Sequence, residues 1–304
     1  MRLSAIGVTV LLFVGPALTA PDDLDDSFRG LQEAQSQKDA ALVKKLAAQT
    51  CALARKAIAA PAPESEDEKE AWTKRVEYAR GIELNTEYAL YATAAQGPPA
   101  TTVELLSALE EQNPKSKYLD EAYARYFLAL NQTGASAKIV GVAEKAVVQF
   151  PDNEDLLLVL ADAALARKQS DRALRYASHL IAVLGKHPKP EGIPAADWQR
   201  KRNASLGRGY WITGIVQSEQ NKYAAADKAL RAALPLIEGN EGMLAAALFH
   251  LGLVNYQLGR MTNSKPLVLD AAKFCDRAAA IKGPYAEQAW RNAHIMRTEA
   301  VKMR

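Results

Sequence analysis

Apolar positions along the chain recur at three- and four-residue steps, and the steps stop at a few sharp breaks. Leu42, Leu46, Leu53 and Ala57 keep helical spacing, with Lys44, Lys45 and Arg55 off the stripe. Trp72, Val76, Ala79, Tyr88, Tyr91 and Ala95 do the same further on. Toward the other end, Leu267, Ala271, Phe274, Ala278 and Ile281 alternate four- and three-residue steps, as one apolar face of an amphipathic helix does. No stretch sustains the alternation of a half-buried strand with β-branched enrichment, so the chain reads as all-α. None of these stripes is wide enough to hold a helix in water alone, and each predicts a neighbouring helix to cover it.

Proline and glycine clusters supply the breaks. They fall at Pro61-Ala62-Pro63-Glu64-Ser65, at Gly97-Pro98-Pro99 and across residues 185–192, with Pro188 and Pro190. The pattern divides the chain into a leader (1–20), an N-terminal helical region (21–97) and a pair of degenerate helix hairpins (98–184). An insertion or linker follows (185–207), then better-formed hairpins (208–283) and a polar capping helix (284–304).

The later hairpins share a grammar. A helix is expected from about Tyr210-Trp211-Ile212-Thr213-Gly214 to Gln220, where Asn221-Lys222-Tyr223 turns the chain into a second helix carrying Ala226, Leu230, Ala233 and Leu234. The same order returns at Leu248, Leu251-Gly252, Tyr256 and Leu258-Gly259-Arg260, with Pro266 in the first turn of the following helix, where its missing N–H matters least. Earlier, Phe127 and Ala161 take equivalent places 34 residues apart; Gly214 and Gly252 are 38 apart. The 53 residues between Ala161 and Gly214 are read as one repeat plus the insertion. Period and small residues have a common cause: each hairpin leaves an apolar face that the next covers, and close crossing needs Gly or Ala.

These residues resemble the tetratricopeptide repeat. Gly214, Tyr223, Ala226 and Ala233 fit its pattern well; Leu251, Gly252, Gly259 and Ala271 fit partly, as do Ala146 with Pro151 and Ala173 with Ala177. Asn255 and Gln217 depart from it, standing where an aromatic is usual, and Ser264 replaces the second-helix Ala. The run Asn113-Pro114-Lys115-Ser116-Lys117-Tyr118 is similar to the opening of repeats in outer-membrane assembly lipoproteins and periplasmic cell-division coordinators. The resemblance spans roughly residues 85–283 and implies a right-handed α-solenoid whose first helices line a concave groove. Carried onto this chain, it turns Arg208, Trp211, Ile215 and Glu219 toward the groove, then Phe249, Leu253, Tyr256 and Gln257, with Glu121, Asn131, Asp155 and Asp162 earlier. Trp211, Phe249 and Tyr256 would form an aromatic lining for a peptide. Two alternatives stay open: Trp211 fills space against Trp198 in the insertion, or the helix is turned by one residue and Tyr210 takes its place.

Composition narrows the class. The chain has 304 residues, 49% apolar and 24% charged, an ordinary globular balance. Its net charge of +3 gives no strong field for nucleic acid or anionic lipid. Met1-Arg2, the apolar run from Ala5 to Val14, Gly15-Pro16-Ala17 and Leu18-Thr19-Ala20 have the layout of a secretory signal peptide, cut after Ala17 or Ala20. The expected location is therefore periplasmic or secreted. Cys51 and Cys275 are too few for a disulfide framework and sit among apolar neighbours, as buried free thiols do.

No catalytic grouping emerges from the motifs. His179, His187, His250 and His294 lack metal-binding spacing, and no nucleophile elbow, phosphate loop or dinucleotide fingerprint occurs. Glu66-Asp67-Glu68 and Glu110-Glu111 read as solvated helix faces. The expectation is a non-catalytic scaffold without cofactor or metal, holding a partner peptide or protein of the bacterial envelope, with self-association also compatible. The alternative is an accessory helical domain or subunit of a peptidoglycan-processing enzyme.

Overall fold

The computed structural model describes residues 23–189 and 192–303, so the leader lies outside the described residues. The described residues form thirteen α-helices and one 3-10 turn, without a strand. They gather into two compact units, the first ending at Tyr118 and the second beginning at Leu119.

The first unit holds α1 (Asp23–Ser36), α2 (Ala40–Ile58), α3 (Glu66–Gln96) and α4 (Pro99–Gln112). Each packs on its chain neighbour, and α1 and α4 also reach past it to α3 and α2 respectively. The proline clusters end α2 and α3 where the pattern predicts. The buried face of α2, however, is Val43, Ala47, Thr50, Cys51 and Ala54, while Leu42 is exposed. The leucine stripe is thus turned about one position off the true contact. Cys51 and Ala54 face α3 and Thr50 meets Ser27 of α1, small residues that let the backbones approach.

The second unit is solenoid-like, with helices packed in chain order. It contains α5 (Lys117–Gln132), a 3-10 turn (Ser136–Lys138) leading into α6 (Ile139–Ala146), α7 (Glu154–Ala166), α8 (Ser170–Lys186), α9 (Ala195–Glu219), α10 (Tyr223–Ile237), α11 (Glu241–Met261), α12 (Lys265–Ala279) and α13 (Ala286–Lys302). Helices α7/α8, α9/α10 and α11/α12 are the hairpins, and their first helices also touch in series: α7 on α9, α9 on α11, α11 on α13.

Two boundaries differ from expectation. Helix α9 starts at Ala195, so the latter part of residues 185–207 is helix; Trp198 and Leu206 pack there against Leu157, Leu180, Val183 and Leu184. Burial of those side chains overrides the polar look of the segment. Helix α4, expected to open the repeats, belongs instead with α2 and α3.

Candidate partner-binding face

Glycine sets the crossing of each later hairpin. An added Cβ at Gly214 would lie 2.5 Å from Leu230 Cγ, at Gly207 2.9 Å from Leu236 Cβ, and at Gly259 2.7 Å from Val268 Cγ2. At Gly252 it would overlap Cys275 Sγ. With Gly214 against α10, helical geometry turns Arg208 and Glu219 to the opposite side of α9, where first helices meet one another.

That side is tied together by charge. Arg208 donates from Nε to Asp162 Oδ1 of α7 at 2.6 Å, and its guanidinium lies 4.6 Å from the Trp211 ring centre. Seven residues earlier, Lys201 donates to Asp155 Oδ2 at 2.8 Å and Glu154 Oε1 at 3.2 Å. Burial works against the Lys201 ammonium, but Asp155 and Glu154 more than offset it, so its pKa is raised. Asn153 caps α7 through Asp155 N–H and Leu156 N–H, and its amide donates to Asp120, which fixes both acidic residues at the helix start. Lys201 escaped the sequence reading because it fell within the supposed insertion; its place two turns before Arg208 is the signal that could have found it.

The sequence-predicted residues separate into two sets. Ile215 and Phe249 are corrections: both are buried, at 6% exposure each, and neither lines an open groove. Ile215 packs with Leu230, Ala233, Ala246 and Leu251, and Phe249 lies 5.0 Å, centre to centre, from Tyr285. Trp211 is half-buried and donates from Nε1 to Met243 O of α11 at 3.0 Å; Trp198 belongs to another cluster. Tyr256 is half-buried and donates to Glu299 Oε2 of α13 at 2.6 Å. These aromatics fill the seams between successive pairs. Arg208, Leu253 and Gln257 are partly open and Glu219 is exposed. Asn131, also exposed, accepts from Ser136 Oγ at 2.7 Å and shapes the turn after α5.

The remaining chemistry is quiet. His250 sits in the α9–α11 seam, 3.0 Å from Ser218 Oγ, and burial lowers its pKa to about 4, so it is neutral near pH 7. Both cysteines are free and buried, and burial raises the thiol pKa of each, Cys275 to about 12. Neither is a ready nucleophile. A cavity of about 410 Å³ in the first unit is lined by Lys44, Cys51, Arg55, Leu90 and Glu111 among others. Its cations are engaged with Glu104 and Glu83. The Tyr118 of the Pro-x-Ser-x-Tyr run stacks on Tyr91 at 5.4 Å and Asn113 donates to Glu87 at 2.7 Å, so the run secures its turn onto α3.

Fold and site together define a class: an all-α protein of sequentially packed helix pairs whose first helices form a charged, partly open row. The chain matches no protein-family model, and no curated protein is significantly similar to it in sequence. No helix among the described residues is long and apolar enough to cross a membrane.

Proposed function

We propose that this chain is a non-catalytic interaction scaffold of the bacterial cell envelope, of tetratricopeptide type, that holds a partner peptide or protein on the first-helix row of its second unit. The observation that carries the reading is Arg208, held between Asp162 and the Trp211 ring while remaining partly open to solvent. Holding a long side chain in one geometry before binding reduces the entropy lost on association. Arg and Trp also rank among the residues that contribute most at interfaces. The leader-like start supports export, and the glycine-set hairpins support the repeat assignment.

The test is capture of partners from an envelope extract with the mature protein, comparing wild type with Arg208→Ala plus Gln257→Ala. Recovery of a specific partner is expected to fall roughly tenfold or more, with helicity by circular dichroism unchanged. Equal recovery by both proteins would discard this face, and turnover of cell-wall glycan by the purified protein would discard the scaffold.

A further inference from the structure

Two first helices of the second unit, α9 and α11, carry an aromatic three residues before the small residue at the crossing. In α9 it is Trp211 before Gly214, and in α11 it is Phe249 before Gly252. In α13 the corresponding pair is Trp290 before the fully buried Ala293, which packs in the same core as Ala271 and Cys275 of α12. The first two aromatics are covered by the next first helix or its start, through Met243 and Tyr285. Trp290 is 65% exposed and Val301 80%. The outer side of the capping helix is polar, as the sequence predicts, with Trp290 and Val301 set into it.

That face has a further property. Along α13 it reads Glu287, Trp290, His294 and Arg297, spaced three, four and three residues apart, which puts all four on one side of a helix. The order is symmetric about Asn292 and reverses in charge. Two copies packed antiparallel across a two-fold axis place Glu287 opposite Arg297 and Trp290 against His294, twice over. Packed parallel, they place glutamate on glutamate and arginine on arginine. A two-fold interface requires a surface complementary to itself, and this one is so in the antiparallel sense alone.

We propose that this face of α13 is a self-association surface whose occupant is α13 of a second copy, antiparallel about Asn292. Within one chain Glu287 holds Arg291 at 3.2 Å and Arg297 reaches Asp276. These are exposed pairs of small net strength, free to exchange partners. One 17-residue helix per copy offers less than the ~800 Å² per partner usual in stable complexes, so the dimer dissociates on dilution.

Sedimentation of the intact protein over a concentration series tests this. Wild type is expected to pass from monomer to dimer as concentration rises, and Trp290→Ala to weaken association roughly tenfold or more. Glu287→Arg and Arg297→Glu should each be monomeric alone, and a one-to-one mixture of the two should dimerise, because every charge then faces its opposite. Circular dichroism checks that each variant is folded; should Arg297→Glu unfold beside Asp276, Trp290→Ala carries the test, since its side chain lies outside the core. A wild type monomeric at all concentrations, a Trp290→Ala dimer as tight as wild type, or a mixture of folded charge variants that stays monomeric would each overturn the proposal.

Discussion

In the second unit, the α9/α10 and α11/α12 pairs close on glycine; in the first, helix pairs close on alanine and small buried hydrogen-bonding residues. Gly207, Gly214, Gly252 and Gly259 each face a side chain or backbone that leaves no room for a methyl group. In the first unit Gly81 meets nothing within 4 Å and Gly30 makes an ordinary contact. There, Ser27 and Thr50 share a buried hydrogen bond of 2.8 Å, and Thr102 donates to Ala94 O at 2.9 Å. Backbone-close crossings set the distance between helices tightly, and a series of them gives a row of first helices at regular spacing. Hydroxyl-bridged crossings hold particular pairs and impose no repeat. The regular row therefore belongs to the second unit, and so does the candidate binding face.

The largest expected consequence concerns His250, on a seam of the second unit. Its folded pKa of about 4 lies below the ordinary 6.5. Above pH 6.5 neither state holds the proton and His250 makes stability independent of pH. As pH falls from 6.5 toward 4, the unfolded chain takes up a proton that the folded protein refuses, so stability declines; below about 4 both states are protonated and the decline stops. The full effect is roughly 3 kcal/mol. Urea unfolding of wild type and His250→Gln across that range should give a difference curve with this slope. A flat difference would detach the seam histidine from its stability.

Next is Gly252→Ala. Alanine favours a helix by ~1 kcal/mol over glycine, but the new methyl collides with Cys275 Sγ and approaches Ala271 O at 3.2 Å. Overpacking of this kind costs about 1–3 kcal/mol, and backbone cannot yield as a side-chain end can. A net loss is expected in thermal unfolding, partly recovered by adding Cys275→Ala. The smallest effect has the opposite sign: Gly81→Ala, with open space around it, should gain about 0.5–1 kcal/mol. The same substitution stabilising an open helix position and destabilising a hairpin crossing is what marks the glycine closure; matching signs would erase the distinction.

Much of this was legible in the residues. The all-helical class and the glycine crossings of the later hairpins follow from periodicity and spacing. The stops before Gly97 and after Lys186 follow from proline and glycine. The helical face was harder. On α2 the leucines suggest one stripe, and the structure buries the face of Val43, Ala47, Cys51 and Ala54 because distance of approach outweighs side-chain size there. Among site residues, Arg208 and Asp162 are each expected on the groove side and the structure pairs them, whereas Ile215 and Phe249 are expected at an open wall and are buried. A stripe broad enough to serve a groove is also broad enough to serve a seam, and spacing alone does not divide them.

What the order of amino acids determined by itself is local: where helices run and stop, which small residues allow two of them to cross, and how often the pair recurs. Those follow from backbone propensity and steric size, which act over a few residues. Only the tertiary structure decided which aromatics are covered, that Lys201 joins Glu154 and Asp155, and that Trp290 is left facing water. Each depends on the position of a helix distant along the chain, and burial is a property of that neighbour as much as of the residue buried.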